Sequence, residues 1–244
     1  MEIRDKGSNT HRIDSRAWYA VQDQLFEMFM ARVPENRVRL REIVAADGGP
    51  ELDLSIRSLD NLGEWFVGWA RRDPDDSESW ESPYVDHRYK SEGVNAAGRR
   101  AESPQMERMR VRLAVYLGDV AMGVVPGSRW VCWRGEAVGD RFAGDAVVDV
   151  GNPETPFNAL IFSGWVCGAA YSASFDPSNP NYQPPKPHEW SRLIGWMLGR
   201  LEKRHEEGLE PEFQPAPTGP EAKGRKRPHS GRREYEALKR DGVY

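Results

Sequence analysis

At 244 residues, with 39% hydrophobic and 10% aromatic residues including nine tryptophans, the chain is long and apolar enough to bury a sizeable core. Its formal net charge of −4 is too small to draw the whole molecule to a polyanion or a membrane surface. No window approaches the roughly 18 consecutive apolar residues of a membrane span, and the first residues lack the apolar stretch of a signal peptide, so the expected compartment is the cytoplasm. Cys132 and Cys167, both in apolar surroundings, are accordingly expected as reduced, buried thiols.

In chain order, residues 1–13 are polar and read as a flexible N-terminus. Asp14 or Ser15 can cap a first helix, whose Trp18, Val21, Leu25, Met28 and Phe29 recur at spacings of three and four. Pro34 suits the first turn of a second helix, carried by Val38, Leu40, Ile43 and Val44 to the stop signal Gly48-Gly49-Pro50. The alternation in Glu51-Leu52-Asp53-Leu54 predicts an edge strand. Ser58, or Ser55, then caps a third helix with Leu59, Leu62, Trp65, Phe66 and Trp69 on one core-facing side. Residues 72–102 break every periodicity and predict a long loop, with Trp80, Tyr84 and Tyr89 available to pin it to the surface.

Ser103-Pro104 opens a helix carrying Met109, Leu113, Tyr116, Leu117 and Val120 towards a turn at Pro126-Gly127. Arg129–Arg134 is rich in strand formers, and Gly135-Glu136 reads as a turn. Arg141-Phe142 and Ala146–Val150 predict one or two further antiparallel strands, ended by Gly151-Asn152-Pro153. Residues 156–173 are apolar throughout, so periodicity fits either helix or strand; their small residues favour a helix lying close on the sheet. After a polar connection, Pro187 starts a last helix through Trp190, Leu193, Ile194, Met197, Leu198 and Leu201, with a basic end that complements the helix dipole. The expected fold class is α+β. A small antiparallel sheet packs against several amphipathic helices in one domain over residues 14–207, followed by a flexible basic tail over 208–244.

The motifs that would name an enzyme are missing. None of His11, His87, His188, His205 or His229 belongs to an H-E-x-x-H pattern, and there is no Cys-x-x-Cys, so no metal site is predicted. An EF-hand alignment starting at Asp73 puts Glu78 where Gly is needed and Tyr84 where the bidentate Glu is needed. No glycine-rich loop matches a phosphate cradle, and Phe162-Ser163-Gly164 lacks the upstream glycine of a nucleophile elbow. Asp145 and Asp149 are paired carboxylates near predicted strands. Trp130 and Trp133 read as packing residues, with a ligand-facing role as the alternative. No cofactor is called for.

What remains is a charge asymmetry. Residues 223–244 hold eight Lys or Arg against three acids, a net +5, which leaves −9 on the rest of the chain. Lys223, Arg225, Lys226, Arg227, Arg232 and Arg233 are the candidate nucleic-acid contacts of that tail, acting by release of counterions from phosphates, with partner-protein contact and a purely solubilising tail as the alternatives. The acidic start of the long loop, with Asp73, Asp75, Asp76, Glu78, Trp80, Glu81 and Tyr84, is the candidate protein-binding site.

Ser58-Leu59-Asp60-Asn61-Leu62 with Trp65-Phe66, Tyr116-Leu117-Gly118-Asp119-Val120, Gly127-Ser128-Arg129-Trp130 and Pro156-Phe157 together resemble small bacterial proteins of unknown function. In those an S-L-x-x-L-x-x-W helix precedes a Y-x-G-E-V helix, a G-x-x-W hairpin and a Pro-led final helix. The resemblance covers residues 36–172 and rests on packing positions; Asp119 stands where Glu is usual, and the 72–102 loop is longer. It implies a bacterial or phage-borne interaction module, toxin-neutralising in some proteins of this kind, and carries over no catalytic residue. The expected function is therefore non-enzymatic: a cytoplasmic protein that binds another protein. The alternatives are a nucleic-acid-associated protein using the tail, and a hydrolase or transferase with a site assembled from scattered residues.

Overall fold

The computed structural model describes residues 15–72, 104–134, 142–175, 186 and 188–215. Among them the chain forms five helices and one two-stranded antiparallel sheet, the α+β architecture expected. The helices are α1 (Ser15–Ala46), α2 (Ile56–Arg71), α3 (Pro104–Val124), α4 (Ala159–Phe175) and α5 (Glu189–Glu206); the strands are β1 (Arg129–Cys132) and β2 (Ala146–Asp149).

The first correction concerns Pro34. It does not start a second helix but lies inside α1, which runs unbroken for 32 residues. The buried positions explain why. Trp18, Gln22, Phe29, Val33, Asn36, Leu40 and Val44 form one stripe at spacings of three, four and seven that passes through Pro34 without a change of phase. Burial of that stripe outweighs the hydrogen bond Pro34 cannot make, and Pro34 itself is exposed. Met28 and Val38, assigned to the core by the two-helix reading, lie off the stripe and are exposed.

The second correction concerns residues 51–54, which form no strand. Leu54 has a φ of +65°, in the left-handed region where a side chain is strained. Its N–H is held by the Tyr116 hydroxyl at 3.0 Å, while the Asp53 carboxylate accepts from Ser55 N–H at 2.9 Å. Ser55, not Ser58, caps α2: its side chain accepts from Ser58 N–H at 3.1 Å. Ser58 is turned inward, and its hydroxyl shares a hydrogen bond of 2.5 Å with Tyr116. Leu59, Leu62, Phe66 and Trp69 are buried in the core, as their spacing predicts.

Helix α3 lies at the centre, buried on nearly every side from Arg108 to Ala121. Gly118 makes this possible on one side, because a Cβ there would overlap the Trp130 indole of β1. Arg37 of α1 and Asp119 of α3 tie the two helices together through two parallel hydrogen bonds of 2.6 Å each.

The sheet pairs Arg129 with Asp149, Trp130 with Val148, Val131 with Val147 and Cys132 with Ala146. Two short strands are marginal alone, and here both faces are covered. Trp130 and Val148 face the main core, and Val131, Trp133, Phe142 and Val147 form a smaller cluster with Ile161. Trp130 and Trp133 thus pack rather than face a ligand. Phe142 lies in a turn, not in the further strand expected around it. Phe157 instead bridges Val148, exchanging both backbone hydrogen bonds at 2.9 and 3.0 Å.

The next residue resolves the ambiguity of the apolar run 156–173 in favour of a helix. The Asn158 side-chain oxygen accepts from Ile161 N–H at 3.0 Å, the geometry of an N-cap. Its amide donates to Asp145 at 2.8 Å, fastening the start of α4 to the start of β2. Residues 209–215, which composition assigns to the tail, lie against the sheet: Glu212 N–H donates to Gly151 O at 2.9 Å and Gln214 N–H to Asp149 at 2.6 Å.

Candidate interaction surface

The residues expected to carry function fall outside those described. Asp73, Asp75, Asp76, Glu78, Trp80, Glu81 and Tyr84 precede α3, and Lys223, Arg225, Lys226, Arg227, Arg232 and Arg233 follow residue 215. Among the described residues, no group of three or more His, Cys, Asp or Glu side chains could hold a metal ion, and no helix is long and apolar enough to cross a membrane.

The residues weighed for chemistry serve the fold. Asp149 is fully buried, with one oxygen accepting from Gly151 N–H at 3.0 Å and the other from Gln214 N–H. Asp145 holds Asn158. Ser163 is fully buried within α4, with no solvent-facing turn to present its hydroxyl. Cys132 and Cys167 are buried thiols outside any disulfide, as expected, and burial pushes the Cys132 thiol up to about 12.

The feature that stands out on the described surface is aromatic. Trp165 of α4 is 58% exposed and Trp196 of α5 is 42% exposed, although tryptophan is usually well covered. Phe162 lies beneath both, its ring centroid 5.4 Å from Trp165 and 6.1 Å from Trp196, each in an edge-to-face arrangement. The two indoles therefore belong to one patch with a buried aromatic floor. The Arg200 guanidinium lies over the Trp196 ring at 5.2 Å from its centroid. Gly195 and Gly199 flank Trp196, and a Cβ at either would meet nothing within 4 Å, so the helix surface beside the indole is open. Arg192, Trp196, Arg200 and Lys203 follow one another at spacings of four, four and three on α5, with Arg192 paired to Glu189 at 2.5 Å and Lys203 to Glu207 at 3.8 Å.

The two tryptophans were not equally legible. Trp190, Ile194 and Met197 define the buried stripe of α5, and Trp196 falls off it, so its exposure follows from period alone. Helix α4 is apolar all round, so nothing in its sequence separates the exposed Trp165 from the buried Phe162, Val166 and Cys167. Which side α4 shows to solvent is decided by its packing between α3, α2 and the sheet. No family model, no curated protein and no solved structure matches the chain.

Proposed function

We propose that the protein is a non-enzymatic interaction module of the cytoplasm that binds a partner protein through the Trp165–Trp196 face. The observation that carries this reading is the pair of exposed indoles on a shared aromatic floor. Tryptophan and arginine dominate the energetics of protein interfaces, because a large rigid side chain buries much area at little cost in conformational entropy. Arg200 beside Trp196 favours a partner surface that presents apolar side chains next to a carboxylate. Two reduced, buried thiols are in keeping with a reducing compartment.

A displayed random-peptide library selected on the full chain tests this. Selected peptides are expected to combine apolar residues with Asp or Glu, and to lose binding to Trp165→Ala and Trp196→Ala. Each substitution is expected to cost about 2 kcal/mol of affinity. Peptides retained equally by both variants would sink the reading. Exposed tryptophans beside arginine also suit base stacking, so single-stranded nucleic acid is titrated in parallel; tight, salt-sensitive and tryptophan-dependent binding there would transfer the face to nucleic acid.

A further inference from the structure

The end of the β1–β2 sheet carries the segment that follows α5. Gly127 and Gly151 both adopt the left-handed backbone conformation, with φ of +86° and +75°. Both lie under the Phe213 ring: a Cβ on Gly127 would come within 3.2 Å of it, and one on Gly151 within 3.1 Å of the ring and 2.8 Å of Pro211. The floor on which Phe213 rests is thus made by two residues without side chains. The polar contacts are directional. Glu212 N–H donates to Gly151 O at 2.9 Å, Gln214 N–H to the fully buried Asp149 carboxylate at 2.6 Å, and the Arg129 guanidinium to Gln214 O. Arg134 N–H reaches the Gln214 side-chain oxygen at 3.4 Å.

The segment making these contacts belongs to no helix or strand and lies largely at the surface. Leu209 to Glu212 are exposed, while Phe213 and Gln214 are half-buried. It departs from α5 through Gly208, whose φ of +74° turns the chain out of the helix. A segment held by its main chain, with one aromatic side chain seated, resembles the way domains capture linear peptides. The buried Asp149 carboxylate is held through one oxygen by Gly151 N–H within its own turn, and only its other oxygen accepts from the segment, at Gln214 N–H.

We infer that the sheet end bounded by Gly127, Gly151, Asp149 and Arg129 is a receptor for an aromatic linear peptide, occupied in the native chain by its own Pro211–Gln214 as a tethered ligand. A partner segment that presents Phe–Gln takes the place of that segment. The tether makes the exchange competitive, because a short linker holds the internal copy at millimolar effective concentration. This site shares no residue with the Trp165–Trp196 face.

The probe is a fluorescein-labelled peptide of residues 207–215, titrated by anisotropy into the full chain and into full-length Phe213→Ala and Gln214→Pro. Both changes lie in the tethered segment and leave the receptor intact. The peptide is expected to bind each variant roughly tenfold or more tightly than the native chain. A peptide with alanine in place of its phenylalanine is expected to bind none of them, and Trp165→Ala is expected to change nothing. Equal binding to the native chain and both variants, or equal binding of the two peptides, would overturn the inference. So would loss of cooperative unfolding in both variants, since the segment would then belong to the fold rather than to an exchangeable ligand.

Discussion

At the scale of single residues, two ion pairs join elements that are distant along the chain, Arg37 with Asp119 and Arg72 with Asp47. Arg37 and Asp119 meet fork to fork, and the carboxylate beside the guanidinium holds the Arg37 pKa above its ordinary value. Arg37 remains 40% exposed, so the pair is worth less than its geometry suggests. A double-mutant cycle of Arg37→Ala and Asp119→Ala is expected to return a coupling of about 1 kcal/mol that shrinks as salt is added. Asp47, at the end of α1, accepts from Arg72 and from the Trp65 indole at 2.7 Å, and these bonds, that from Arg72 first, hold its carboxyl below the ordinary 3.8. A depressed carboxyl stabilises the fold above its unfolded pKa and ceases to do so as the pH falls through the folded one. Asp47→Asn is therefore expected to melt lower than the native chain at neutral pH, and the two melting temperatures to converge as the pH drops below 3.8. Cys132 runs the other way. Its thiol is held protonated up to about 12, a contribution present below the ordinary 9.0 and lost as the pH rises towards 12. A disulfide reagent at pH 8 is expected to label neither cysteine in the native protein and both after denaturation.

At the scale of elements, α1 shows how packing overrides a local signal. Proline inside a helix costs about 3 kcal/mol relative to alanine, and Pro34 is exposed, so it gains little from burial in return. Pro34→Ala is expected to raise stability by about 1–3 kcal/mol in denaturant titration, the spread reflecting the freedom that alanine restores to the unfolded chain. No change, or a loss, would mean that the chain bends at Pro34 to serve the packing of Phe29 and Leu40. Helix α4 presents the opposite case, since an apolar run without periodicity leaves the choice between helix and strand open. The deciding signal was present one residue upstream: Asn158 in front of an apolar run is an N-cap signature.

At the scale of the whole molecule, the acidic and basic charges singled out along the chain lie outside the described residues, whereas the described surface offers indoles and arginines. Trp165 and Trp196 are exposed, so the paired variant Trp165→Ala/Trp196→Ala is expected to keep the native melting temperature within about 2 °C while losing partner binding. A large drop in melting temperature would assign the two indoles to the core and withdraw the interface.

Amphipathic period and cap chemistry act within a few residues of one another. The sequence alone therefore determined the α+β class, α2 and α5, the strand pair near 129–150, the buried thiols and the exposed side of α5. Tertiary packing alone decided what depends on contacts between distant segments. It carried α1 through Pro34, set Leu54 in a left-handed conformation under Tyr116, selected which face of α4 meets solvent, and laid residues 209–215 on the sheet end. In each case the deciding partner lies dozens of residues away along the chain, where no local pattern records it.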